Sequence, residues 1–335
     1  MTRHKSVMCV SLFGLLIFTS PVWAQVAKLT VSYAEGGPPD LPAFIAKETG
    51  IFTKNGLDVQ LLRTRSTVSV MALISGELGI IQVAGPTVVE SNLSGSDVVM
   101  IAGGTMTLPY KLMSESRIKT GKQLKGAIVG IASLSGVSIY ATRFALKMLG
   151  LNPDKDVSMI VAGGTMERLI GLQTGKINAT ILSPPTIFIA EREGFSVLAD
   201  VASLGLTFQN DGVATTRKFI KSNPDTIRKY IRSHIEAVHR MKTDRETGIR
   251  VLAKYLRQTK DRELLEKTYD YTVADDKLPR KQYPTLAGIK TILDLIGDRN
   301  PKATQVKPED FVDMRFVKEL DDSGFVDNLY KEKRD

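Results

Sequence analysis

The sequence predicts an α/β protein of two like lobes followed by a helical tail. Three observations carry that reading. Short apolar strands alternate with amphipathic helices, the alternation is written twice at an offset of about 99 residues, and strand patterns give out after Asp211.

The first copy opens with AKLTVSYA, an alternating strand over residues 29–34, and EGGPPD follows as a loop that can continue neither strand nor helix. Residues 41–52, LPAFIAKETGIF, carry apolar positions at helical spacing and stop at Gly50. LDVQLL is the next strand, TVSVMALISG a short helix ended by Gly76, and LGIIQV a third strand. Strand, helix, strand, helix, strand is the unit of a mainly parallel sheet covered by helices.

The second copy repeats it. AIVGIA is a strand, SLSG stands where EGG stood, and VSIYATRFALKMLG is a helix ending at Gly150. VSMIVA, MERLIGLQTG and INATIL then give strand, helix and strand. Pro86-Thr87 and Pro185-Thr186 fall in register, as do the strands VVMIAG and SVLADV. AGGTM occurs at 102–106 and at 162–166, an offset of about 60 that breaks the register, so it is not part of the duplication.

Beyond Asp211, GVATTRKFIKSNPD reads as one last strand, a helical turn, and a helix start capped by Asn223 with Pro224 in its first turn. Helices with one charged face follow over 225–257, 260–271, 283–297 and 307–330. This tail has too few strands for a domain of its own and is expected to pack on the first lobe. The expected organisation is therefore 28–111 with 212–335 as one lobe and 112–211 as the other.

The N-terminus has the form of a secretory leader. Arg3, His4 and Lys5 precede the apolar run VMCVSLFGLLIFTS and the small-residue site PVWA, which places cleavage after Ala24. The run is short for a bilayer span. Cleavage removes Cys9 and Trp23, the chain's one cysteine and one tryptophan, so neither a disulfide framework nor a cysteine zinc site remains. Net charge falls from +9 to +7 with the loss of Arg3 and Lys5, and the basic residues are spread rather than bunched. Without a concentrated patch or stacking aromatics, nucleic acid is not an expected partner.

Catalytic patterns are missing too. The mature chain keeps His234 and His239, five apart on a charged helix, where a metal pair prefers three or four; both are expected at the surface. There is no nucleophile elbow, metalloprotease motif or phosphate loop. No metal or cofactor is called for, and no enzyme activity is expected. The loops at the C-terminal ends of the strands are the candidate site, because helices begin there with unpaired amides facing a crevice. Residues 133–138, SLSGVS, form a small hydroxyl-rich strand-to-helix loop suited to a polar or anionic group. Residues 35–40, EGGPPD, combine glycines that admit close backbone approach with prolines that stiffen the floor. Met106, Met113 and Met166 read as core or wall residues. Arginine is scarce in these loops, so an acidic ligand would need amides, hydroxyls, or an unplaced cation such as Arg168 or Lys111.

PAFIAKETGIFTKNGLDVQLL, MALISGELGIIQVAGPTVVE, LKGAIVGIASLSG and GVATTRKFIKSNPD together resemble the periplasmic substrate-binding components of ABC importers in the nitrate, taurine and alkanesulfonate group, which includes thiamine-precursor-like binders. The resemblance covers residues 28–230 closely and the tail loosely. It implies two α/β lobes linked by two crossovers that close on a small solute, delivered from the periplasm by a monomer to an inner-membrane permease. Carried onto this chain, the ligand residues are Gly36, Gly37 and Pro38; Gln82, Ala84 and Gly85; Gly104 and Thr105; Ser133, Ser135, Gly136 and Ser138; Thr165; Ser183 and Pro184; and Asn210. Pro38-Pro39-Asp40 departs from the sulfonate-type loop, which weakens taurine or nitrate as the ligand and puts a larger or partly apolar organic solute on an equal footing with a small anionic one. The rival readings are a pyrimidine-synthesis-like enzyme of the same fold, which would want a reactive histidine or cysteine, and a binding component that signals to a sensor.

Overall fold

The computed structural model describes residues 26–331 except 135, 258, 259, 298 and 299; the leader assigned to 1–24 and the Ser135 assignment lie outside the described residues. Ten strands are described: β1 (Ala27–Tyr33), β2 (Leu57–Arg63), β3 (Ile80–Val83), β4 (Val98–Ala102), β5 (Lys111–Ser114), β6 (Ile128–Ile131), β7 (Ser158–Val161), β8 (Ala179–Leu182), β9 (Ser196–Asp200) and β10 (Gly212–Thr216).

They form two five-stranded sheets of matching design, ordered β2-β1-β3-β10-β4 and β7-β6-β8-β5-β9. Equivalent pairings recur: Val31 lies opposite Ile80 in the first sheet and Gly130 opposite Thr180 in the second, both parallel. Each sheet takes one antiparallel strand, β10 in the first and β5 in the second, and each is the strand the chain enters just after crossing from the other lobe. The chain therefore crosses between lobes twice, at 103–110 and at 201–211. The turn glycines hold the repeat in shape: Gly50 and Gly150, like Gly76 and Gly175, all sit at positive φ, where L side chains are strained.

Helices cover both sheets. On the first lobe, Leu41–Glu48 packs beneath Pro224–Thr243 and Arg245–Leu256, and Leu286–Gly297 packs on Gly85–Leu93. The tail is thus a helical extension of the first lobe. One apolar cluster runs from Val88 and Ile292 through the crossover residues Leu108, Val201 and Phe208 to Leu112 and Ala141, so the lobes share core at the crossovers. No helix among the described residues is long and apolar enough to cross a membrane.

Four local expectations are corrected and one, the core-or-wall reading of Met166, is narrowed to wall. The helix over 41–52 is interrupted at Gly50 and resumes as the single turn Ile51–Lys54. Asn223 does not cap; its amide donates to Ser222 Oγ instead, while Asp244 breaks the expected long helix and caps Arg245–Leu256 through Thr247 N. Met166 is 47% exposed and is no core residue. His234 is buried rather than at the surface, because Pro224–Thr243 is packed on more than one side and Ser233, His234, Ile235 and Glu236 are all buried.

Candidate functional site

The C-terminal ends of β1, β3 and β4 and the start of β10 share one edge of the first sheet. The loops after β6, β7 and β8 share the corresponding edge of the second. The topology thereby gathers the candidate loops on the two walls of an inter-lobe cleft.

On the first wall, Gly36 N donates to Asp40 Oδ2 at 2.8 Å, and Arg63 of β2 donates to the carbonyls of Ala34 and Glu35, which ties the loop to its sheet. Pro38–Asp40 is a single 3-10 turn leading into Leu41–Glu48. Glu35 is exposed, whereas Asp40 is buried. The crossovers are bonded to each other: Phe208 N donates to Met106 O and Asn210 N to Thr105 O, both at 3.0 Å. Asp211 ties them further, accepting Thr105 N at 3.0 Å on Oδ1 and Asn210 Nδ2 at 2.7 Å on Oδ2. A Cβ on Gly104 would lie 2.0 Å from Asp211 Oδ1, so glycine there makes room for that carboxylate.

Pro38, Gln82, Gly104 and Thr105, four of the expected ligand residues, converge with Asp211 and His234 on a narrow cavity of about 10 Å³, enough for one water centre. Gln82 Nε2 donates to Tyr230 OH at 2.7 Å inside the wall. Gly85 faces elsewhere: a Cβ on it would meet Gln209 O at 2.3 Å, so it serves packing against the second crossover. Ala84 is the residue before that helix, and Gly37 packs near Leu256. A larger open groove of about 510 Å³, between Lys54, Glu236 and Leu329, shares no residue with the cleft.

On the second wall, Gly136 at φ +87 turns the chain into the helix Val137–Met148. Ser133 is exposed and Ser138 half-buried; Ser138 O accepts Thr142 Oγ1 at 2.8 Å. Thr165 opens the helix Thr165–Gln173, and Ser183 O accepts Thr186 Oγ1 at 2.6 Å beside Pro184. Lys111 is paired with Glu191 at 2.7 Å beside the second sheet. Arg168 is different. It is 1% exposed and donates to Gly163 O at 2.8 Å and to Ile181 O at 3.1 and 3.3 Å, but it makes no salt bridge among the described residues.

The charges couple across the cleft. Burial pushes the Asp40 carboxyl up to about 8 and Asp211 up to about 6, and the nearby Glu35 charge adds to both. Burial likewise pushes the Tyr110 hydroxyl up, against the Arg168 charge. Burial lowers the Arg168 guanidinium, whose charge is favoured by Tyr110, Glu167 and Glu35. Glu35 on one lobe and Arg168 on the other thus lie within each other's field. His234, buried beside the cavity, is pushed down to about 4 and is uncharged at neutral pH. The described residues hold no group of three or more histidine, cysteine or acidic side chains able to bind a metal.

Sequence reasoning placed Glu35 and Asp40 in a candidate loop but gave their carboxylates no role, missed Tyr110 and Asp211, and named Arg168 without a place. Asp40 and Asp211 had a usable signal: each is a carboxylate at the edge of a strand-end loop or crossover.

Solved structures of like fold include a Bordetella bronchiseptica RB50 protein (TM-score 0.72, 19% identity, 89% of this chain and 98% of that one). They include the periplasmic aliphatic sulphonate binding protein SsuA from Escherichia coli (TM-score 0.70, 17% identity, 87% and 99%). The periplasmic nitrate-binding protein NrtA from Synechocystis PCC 6803 is also similar (TM-score 0.72, 12% identity, 89% and 89%). At these identities the likeness establishes the two-lobed periplasmic binding protein fold. A putative ABC transporter periplasmic binding protein of Brachyspira hyodysenteriae is 29% identical over 94 residues, which spans 28% of this chain and 27% of that protein. The model of the NMT1-like family matches residues 27–257, more than half of the chain, and the chain belongs to that family.

Proposed function

We propose that this protein captures a small organic solute bearing an acidic group in the cleft between its lobes and delivers it to an ABC-type membrane permease. Arg168 carries the reading. A buried guanidinium that hydrogen-bonds only carbonyls is countered through the fields of Glu167 and Glu35 alone, and a carboxylate or sulfonate entering the cleft gives it a direct partner. The amides at the start of Val137–Met148 and Thr165–Gln173 supply further donors on the same wall.

The lobes are 28–111 with 212–335, and 112–211, an assignment that sheet membership supports apart from Lys111, which opens β5 of the second sheet. The protein acts in the periplasm as a monomer after loss of its leader. Its ligand residues are those of the strand-end loops, with Arg168 added. Because the solute interacts with a hinge-linked pair of walls and with no reactive side chain, binding rather than catalysis is the activity.

A thermal-shift screen of sulfonates, small carboxylates, nitrate and pyrimidines tests this. One class should raise the melting temperature in proportion to the logarithm of its concentration, and Arg168→Met should remove the effect. Absence of any stabilising solute, or full affinity in Arg168→Met, contradicts it.

A further inference from the structure

Thirteen large apolar side chains are exposed among the described residues, and eight of them sit on equivalent elements of the two lobes: the strand that ends each sheet and the helix that follows it. On the first lobe these are Leu62 of β2 and Val68, Met71 and Ile74 of the helix Ser66–Ser75. On the second they are Ile160 and Val161 of β7 and Met166 and Ile170 of Thr165–Gln173. Leu62 and Val161, like Met71 and Ile170, are 99 positions apart, the offset of the repeat. Neither helix lacks core contacts, since Val70 and Leu73 are buried on the first and Leu169 and Leu172 on the second. A helix apolar on two faces is suited to being covered on both, yet here one face of each is bare. β2 and β7 likewise have a neighbouring strand on one side only. The crossovers join β4 to β5 and β9 to β10, and those strands lie at one end of each sheet, as β10-β4 and as β5-β9. β2 and β7 form the opposite ends, so the two apolar patches flank the open end of the cleft, one on each lobe.

We propose that these two patches together dock the loaded protein on its permease, and that the permease meets them with two like apolar segments rather than with charge. This rests on the delivery reading above and names the surface that delivery uses. Three features select the occupant. Equivalent patches on two like lobes fit a partner with two like contacts. A partner that touches both lobes at the mouth senses their separation, because opening the cleft moves one patch relative to the other. A second copy of this chain seated on both patches would cover the mouth and block the solute entry that capture requires. Apolar burial supplies the affinity, so docking withstands salt that screens contacts between exposed charges.

The test is binding of the labelled mature chain, loaded with the solute that stabilises it, to proteoliposomes carrying the permease complex that imports that solute. Permease-free liposomes are the blank. Wild type should bind only the permease-bearing vesicles, with the same affinity at about 0.05 and about 0.5 M salt. Met71→Glu and Ile170→Glu should each weaken binding at least about tenfold. Met148→Glu, at an exposed apolar position outside both patches, should not. Calorimetry should show unchanged solute affinity in all three variants, which separates docking from capture and shows that each is folded. Wild-type docking by both patch variants, or docking abolished by salt, overturns the surface while delivery stands. Equal binding to permease-free liposomes makes the occupant a lipid surface, and a dimer in sedimentation that Met71→Glu dissolves makes it a second copy; either result overturns the proposal. If loaded wild type drives no solute uptake into the vesicles, the delivery reading falls as well.

Discussion

Arg192 and Asp261 form an ion pair of 2.8 Å that joins the two lobes. Arg192 ends the helix Thr186–Arg192 beside the second sheet. Asp261 caps Arg262–Val273 on the first lobe, and its other oxygen accepts Leu264 N at 3.0 Å. The Phe188 and Tyr271 rings meet edge to face 6.0 Å apart in the same contact, and Tyr140 OH donates to Glu90 Oε1 at 2.9 Å elsewhere between the lobes. The walls of the cleft are therefore held together by side chains that do not belong to the strand-end loops.

Arg192→Ala should weaken solute binding by only a few-fold, since an exposed pair contributes little. The loss arises because the closed form becomes a smaller fraction of the free protein. The Arg192 contact holds the Asp261 carboxyl below its usual range, so its contribution to closure persists above that range and is lost as pH falls through the lowered value. Calorimetry of wild type and variant in parallel checks this. A loss as large as that of Arg168→Met would mean that Arg192 touches the solute.

Asp40 makes the fold pH-sensitive in the opposite direction. Its carboxyl is raised to about 8 by burial, so the folded state binds a proton more tightly than the unfolded chain does. That contribution is complete below about pH 4, the ordinary carboxylate range, and is lost as pH rises toward 8. At its steepest the loss is about 1.4 kcal/mol per pH unit. Asp40→Asn keeps an acceptor for Gly36 N and should flatten the slope between pH 5 and 8 in urea titrations. A slope unchanged in the variant would assign the dependence to other groups.

Gly136 sits at φ +87 and ψ −177, a region essentially reserved for glycine, and a Cβ there meets nothing within 4 Å. Gly136→Ala should therefore cost about 1–3 kcal/mol through backbone strain alone. If the amides it orients hold the solute, affinity measured on the folded fraction falls as well. Reduced stability with unchanged intrinsic affinity would make this loop structural.

The repeat was legible because local rules write it. Strand alternation and turn glycines such as Gly76 and Gly175 act within a few residues, and both glycines sit at positive φ. The cleft's charge pattern was not legible. The loop of Glu35 and Asp40 is far in the chain from Tyr110, Arg168 and Asp211, and only sheet order and the two crossovers bring them together. Burial was misjudged for His234 for a related reason. A helix with charged residues at many positions reads as one-sided, yet Pro224–Thr243 lies between Leu41–Glu48 and the terminal helices and buries most of its middle turn.

The central claim is that solute is held between walls that close on it. Small-angle scattering of the mature chain, with and without a saturating concentration of the solute that stabilises it, reads this directly. The account predicts a smaller radius of gyration with solute, and a larger solute-free radius in Arg192→Ala than in wild type. A radius unchanged by saturating solute in both proteins would contradict it and place the binding site on a single lobe.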